Sequence, residues 1–169
     1  GVYTIPYNTG ASAFDVATAI NQAQIGVRAS ATTQIVLGAD DAGAAGSTIR
    51  FKQNTAYSFF LSIDGSNPTT GAAPTAGFVS VSFVTGGVTG GGNIASADQL
   101  NSSAQAFNDA AGKTGFTAKV VRTDNGYFGL HIVNEAGIDL RVNNTSTSDI
   151  ALEDTLAIND LTGGANNST

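Results

Sequence analysis

Apolar positions recur three and four residues apart in two stretches of the chain and alternate or run together in several others. The chain therefore reads as a mixture of helices and strands. Ala13, Val16, Ala17, Ile20 and Ala23 form the first helical stripe. Ahead of it stand Ser12 and Asp15 at the spacing of a capping box, in which the hydroxyl accepts a free backbone N–H and the carboxylate reaches back. With Gly26 as the stop, a helix is predicted over residues 12–25. The second stripe, Leu100, Ala104, Phe107 and Ala111, follows Ser96 and Gln99 at the same capping spacing and stops at Gly112.

Runs rich in β-branched and aromatic residues predict strands over 34–37, 48–52, 57–63, 77–84, 116–122, 127–133 and 138–142. Asp124-Asn125-Gly126 is a tight-turn signal, so residues 116–133 should form a hairpin. Residues 66–77, which hold two of the chain's three prolines, and residues 86–93 are polar and glycine-containing, and read as loops or a hinge between subdomains. Residues 163–169 are small and polar and read as a frayed end or a linker.

Laying one helical stretch on the other exposes an internal repeat. Ala19-Ile20-Asn21 matches Ala106-Phe107-Asn108, and Gly26-Val27-Arg28-Ala29 matches Gly115-Phe116-Thr117-Ala118 with two extra residues in the second copy. Further on, residues 45–51 match residues 136–142, with Arg50 equivalent to Arg141. A helix with one apolar face must bury that face against something, and the strands that follow it are the nearest candidates. The expected fold is α+β, built from two repeated units in which an amphipathic helix packs on antiparallel strands. Residues 1–65 would hold the first subdomain with its exit strand, and residues 66–169 the second with a C-terminal return segment.

Composition narrows the partners. The chain has 169 residues, 41% hydrophobic and only 12% charged, so it is too apolar for disorder, and neutral hydroxyl and amide groups must keep its surface wet. A net charge of −6 without a basic cluster argues against nucleic acid or an anionic membrane surface as a partner. No run of apolar residues is long enough to cross a bilayer, and the opening residues do not form a secretory signal. The absence of Cys, Met and Trp removes disulfides and thiolate metal sites, and leaves stability to packing and hydrogen bonds. With no starting methionine, the opening Gly1-Val2-Tyr3 points to a segment of a longer protein.

Candidate chemistry is sparse. His131 is the only histidine, which deprives a Ser-His-Asp or multi-histidine arrangement of its usual members, and its place in a strand predicts a solvent-facing side chain. The carboxylates Asp40-Asp41, Glu135 with Asp139, and Glu153-Asp154 have no sequence signal that joins any two as an acid/base pair. Asp64-Gly65-Ser66-Asn67 lacks the alternating ligands and closing Glu of a calcium loop, and residues 86–92 lack the Lys-Ser or Lys-Thr of a phosphate loop. Arg50 and Arg141, each beside an apolar residue, should share a structural job, such as meeting a carboxylate or covering apolar surface with their stems. No enzyme activity, cofactor or metal is expected.

The repeated pattern, Ala-Ile-Asn or Ala-Phe-Asn followed by Gly-Val-x-Ala or Gly-Phe-x-Ala stepping into a strand, resembles the flagellin hook IN motif. Its two copies span residues 12–51 and 96–142, about half of the chain. The resemblance implies a domain inserted between the helical halves that build a bacterial flagellar filament. Such a domain projects from the filament surface and sets surface polarity, antigenicity and contacts with other copies or filaments. It would be extracellular, with its two termini close together at the base. Its Ser and Thr hydroxyls offer acceptors if the cell O-glycosylates its filament. Two alternatives share these residues. One is a filament-cap or hook-associated protein; the other is a carbohydrate-binding or adhesin module with Tyr3, Tyr7, Tyr57 or Tyr127 as stacking faces, against which the absence of Trp weighs.

Overall fold

The computed structural model describes residues 2–39, 50–63, 77–146 and 158–159. Helix α1 spans Ala13–Gln22 behind the full capping box: Ser12 Oγ accepts from the Asp15 amide at 3.1 Å, and Asp15 Oδ2 accepts from the Ser12 amide at 3.0 Å. It ends before Ile25 because Gln24 already turns left-handed, at φ +48°, ahead of Gly26 at φ +81°. Helix α2, Asn101–Thr114, is entered through a short 3₁₀ turn at Ala97–Leu100, where the Gln99 side chain accepts from the Ala95 and Ser96 amides. Gly112 does not stop it. The helix runs through Gly112 to Thr114, whose hydroxyl receives the Phe116 amide, and closes on Gly115 at φ +73°.

The strands are β1 Thr33–Leu37, β2 Ala56–Ser62, β3 Phe78–Val84, β4 Thr117–Arg122, β5 Phe128–Asn134, β6 Val142–Asn144 and β7 Ile158–Asn159. The β4–β5 pair is the expected hairpin, closed by the Thr123 and Gly126 amides with Gly126 at φ +87°. The strand predicted over 138–142 starts only at Val142. Its first residues are held in a turn instead, because the buried Asn134 side chain accepts from the amides of Ala136 and Ile138 while Gly137 takes φ +73°. Of the strand predicted over 48–52, residues 48 and 49 lie outside the described residues, and Arg50 and Lys52 make only isolated bridges, to Ala39 and Asn93. The pattern gave no hint of β7.

Among the described residues all strand pairings are antiparallel and form two sheets, one ordered β4-β5-β1-β7 and the other β3-β2-β6. The architecture is therefore mixed α and β with two helices and two antiparallel sheets. Pairing of β1 with β5, and of β2 with β3, joins residues from either side of position 65.

Helix α2 links the sheets. It packs on β3 and on β4, each an edge strand of its own sheet. At one edge Ser102 Oγ donates to the Val84 carbonyl at 2.6 Å; at the other Asn108 takes both main-chain groups of Ala118. At Val84 and Ala118 the edge groups are thus met by side chains of the helix. Between the sheets and α2 lies one hydrophobic cluster. Phe51, Tyr57, Phe59, Phe83 and Phe107 touch ring to ring at centroid distances of 5.0 to 6.5 Å, with Leu61, Leu100, Phe116, Leu130 and Ile132 buried around them. Aromatic contacts at these separations add to the area they bury.

Helix α1 is different. None of its residues is buried, whereas Phe107 and Ser103 of α2 are. Its first turn is tied to the body by the Phe14 amide, which donates to the Gly137 carbonyl at 3.1 Å. The expectation of adjacent chain ends concerns Gly1 and residues 160–169, which lie outside the described residues.

Candidate functional site

The residues singled out as chemistry are dispersed. His131 sits on β5 between Lys119 of β4 and Val36 of β1, which face it across the ladders. It is not solvent-facing: only 6% of it is exposed, because β5 is covered on both faces. Among the described residues neither ring nitrogen has a hydrogen-bond partner. Burial, and secondarily the Lys119 charge, pull its pKa below the ordinary histidine value.

Glu135 is exposed in the turn after β5, and Asp139 lies 3.8 Å from Arg141 in an ion pair with both partners partly open to water. Asp40-Asp41, Glu153-Asp154 and the Asp64-Gly65-Ser66-Asn67 loop fall outside the described residues, as does the polar segment up to residue 76. Among the described residues no group of three or more His, Cys, Asp or Glu could hold a metal ion, and no helix is long and apolar enough to cross a membrane.

The glycine-rich loop is tied down by hydrogen bonds to the 53–54 turn and to Gln99. Three of its amides are spent inside the protein: Gly86 N donates to the Gln99 carbonyl, Gly91 N to that of Val88, and Val88 N to Gln53 Oε1. Its carbonyls at Gly86 and Gly92 receive the Asn54 and Gln53 amides. A side chain at Gly87 would collide with Gln53, so the glycine there allows the loop to lie flat on the 53–54 turn.

The two equivalent arginines do different work. The Arg50 guanidinium stacks over the Tyr127 ring at 4.2 Å, while Arg141 meets Asp139. Of the four tyrosines, Tyr57 is 1% exposed in the core, and its hydroxyl accepts from the Lys52 amide. Tyr127 has Arg50 on its ring. Tyr3 and Tyr7, 67% and 69% exposed, are the two left as free faces for a sugar ring.

Two features emerge that residue-type searches passed over. Among the outward positions of β2 and β3, Ser58, Ser80 and Ser82 form a small hydroxyl cluster beside Phe60, Phe78 and Val84, in which Ser58 and Ser82 bond at 3.0 Å and Thr145 Oγ1 donates to the Ser58 carbonyl. The alternation Val79-Ser80-Val81-Ser82-Phe83 carried that signal. The second feature is a paired clasp. Asn21 Nδ2 donates to the Ala29 carbonyl and its Oδ1 accepts the Ala29 amide, both at 2.9 Å. Asn108 does the same to Ala118, at 2.9 and 2.8 Å. A shallow cleft beside the first clasp is lined by Asn21, Gln24, Gly26, Val27, Arg28 and Ala29. The arrangement as a whole offers neutral, hydrogen-bonding surface and structural clasps. Comparison with protein-family models, curated proteins and solved structures gives no match to the chain.

Proposed function

We propose that this chain is an outer, surface-projecting domain of a flagellin-type filament protein, and that its two helix-containing stretches are copies of one ancestral unit. The paired clasp carries the reading. Sequence matching makes Asn21 equivalent to Asn108 and Ala29 to Ala118, and in each copy the asparagine side chain holds both main-chain groups of that alanine. The clasp is maintained although the second copy holds two more residues between its partners. A bidentate amide of this kind acts as a one-residue strand partner, fixing the helix against the chain that follows it. In the second copy that segment is β4; in the first it is an extended stretch leading to β1.

The surface supports the same reading. Ser58, Ser80 and Ser82 place hydroxyls on the outer side of β2 and β3, beside Phe60, Phe78 and the exposed Val84, and such hydroxyls stay wet without charge. On this proposal the protein is extracellular, its partners are other copies in the filament, and it carries out no catalysis. The test is immunogold labelling, with antibodies raised to the 169-residue chain, of cells that make the full-length protein. Gold along the entire filament is expected. Gold restricted to the tip or hook junction would replace flagellin with a cap or hook-associated protein, and gold on no part of a filament would reject both.

A further inference from the structure

We infer that the outward face of the β3-β2-β6 sheet binds a neutral carbohydrate chain, with the Phe60 ring as the stacking platform and the hydroxyls beside it as the polar contacts. The site is distinct from the exposed tyrosines, and it rests on the sheet alone, whether or not the chain projects from a filament.

Strand register fixes which side chains share this face. Tyr57, Phe59 and Leu61 of β2 belong to the core, so Ser58 and Phe60 between them point outward. On β3 the positions opposite them are Ser82 and Ser80, and on β6 Asn143 stands opposite Phe60. Phe60 is thus an aromatic at the middle of three strands, half-buried and outside the core cluster, with exposed serines next to it on β3. Past Ser58 the face stays open as far as Ala56 and Val84. At the other end it closes at Ser62, which is 3% exposed.

A chain of hydroxyls borders the ring. Thr145 Oγ1 lies 3.3 Å from Ser58 Oγ, Ser58 Oγ 3.0 Å from Ser82 Oγ, and Ser82 Oγ 3.4 Å from Ser80 Oγ, so the chain runs from the end of β6 across β2 to the position opposite Phe60. Each link uses one donor and one acceptor site, and a hydroxyl has one donor but two acceptor sites, so acceptors are left over. Their complement is a partner rich in O–H donors.

Charge narrows the occupant further. None of the side chains on this open face ionises, although the chain carries −6, and Arg141, two residues before Asn143, is already met by Asp139. A charged ligand would lose water here with no counter-charge to receive it. A lipid or an apolar peptide side chain would cover the hydroxyl chain without offering it a partner. A sugar fits both halves: the polarised C–H groups on one side of its ring meet the electron-rich face of Phe60, and its rim hydroxyls meet the serines. Neighbouring strands lie about 4.8 Å apart, close to the width of a pyranose ring, so a sugar seated on Phe60 reaches the side chains of β3.

Titration of the isotope-labelled 169-residue chain with cellohexaose, mannohexaose and chitohexaose, followed by amide chemical shifts, should show saturable binding of at least one of them. A dissociation constant on the order of 1 mM is expected, with the largest shifts at residues 58–60, 80–82 and 143–145. Phe60→Ala, which leaves the core cluster intact, should weaken binding at least about tenfold, and Phe60→Tyr should keep it within about twofold. Ser82→Ala cuts the hydroxyl chain in the middle and should weaken binding about threefold, whereas Tyr3→Ala and Tyr7→Ala should leave it unchanged. An absence of shifts with all three sugars overturns the inference. So do shifts centred on residues 2–8, a Phe60→Ala variant that binds as tightly as the natural chain, or tetragalacturonate bound as tightly as the neutral sugars. Filament labelling comes out the same in every case, so failure here is distinct from failure of the flagellin reading.

Discussion

Asn108 holds Ala118 by both of its main-chain groups, with the side-chain amide donating to the carbonyl at 2.9 Å and accepting the N–H at 2.8 Å. Ala118 belongs to the edge strand β4, and these are the groups that β5 does not use, so the clasp ties α2 to the rim of the larger sheet. Asn108→Asp keeps the size but loses the donor and sets a carboxylate oxygen against a carbonyl. It should destabilise the chain by about 1–3 kcal/mol in chemical denaturation, because the Ala118 carbonyl is left without its partner. Asn21→Asp makes the same change to an exposed clasp, where water replaces the lost donor, and should cost less than half as much. Equal losses at the two sites would mean that α1 is as firmly built into the fold as α2.

How much of this was legible depends on whether the cause was local. Both helix starts could be read, because a capping box is made within four residues, and the β4–β5 hairpin could be read from Asp124-Asn125-Gly126. Helix ends were less legible. Gly112 has the freedom to terminate α2, but nothing requires it to, and Thr114 and Gly115 complete the cap one turn later. The delayed start of β6 depends on Asn134, whose side chain also donates to the Gly115 carbonyl from 19 positions away, and no periodicity reports such a contact. His131 was read as exposed because alternation assigns one face of a strand to solvent, and β5 is a central strand covered on both sides. The hydroxyl cluster was written plainly in residues 79–83, but alternation identifies a face without saying what the face is for.

The equivalence of Ile20 and Phe107 gives a second measurement. Phe107 is 1% exposed and lies within 6.5 Å, ring to ring, of both Phe59 and Phe83, so Phe107→Ala opens a cavity at the junction of α2 with the smaller sheet. A loss of about 3–5 kcal/mol is expected. Ile20 is half-buried and lies outside the core cluster, so Ile20→Ala should change stability by less than about 1 kcal/mol. Urea denaturation of both variants measures the difference, and a large loss for Ile20→Ala would show that α1 has a core of its own.

Gly137 connects α1 to the turn after β5. It takes φ +73°, its carbonyl receives the Phe14 amide, and a methyl group there would lie 2.3 Å from the Ala31 side chain. Gly137→Ala meets two penalties: the left-handed backbone, about 1–2 kcal/mol, and a collision with a residue whose own backbone is also within reach. The neighbours can relieve the collision only by moving residues 31 and 14 away. Protection of the Phe14 amide from hydrogen exchange should therefore fall more than that of the α2 amides. A variant in which all amides lose protection equally would show that the turn supports the whole fold rather than the attachment of α1.

The last prediction concerns acid. His131 is the only histidine, so it is the side chain whose ordinary titration falls between the carboxylates and the amines. Burial first, and the Lys119 charge second, lower its pKa in the folded chain below the unfolded value of 6.5. The unfolded chain then binds the proton at a pH where the folded chain does not. Stability is fully present above pH 6.5 and declines as pH falls from there toward the folded pKa, with a slope of at most about 1.4 kcal/mol per pH unit. His131→Gln keeps a polar side chain of similar length that cannot take up a proton. Denaturation of the two proteins between about pH 7 and pH 5.5 should give a falling curve for the natural chain and a flat one for the variant, since no other side chain normally titrates there. Parallel curves would show that the imidazole gains a proton acceptor on acidification that offsets its burial.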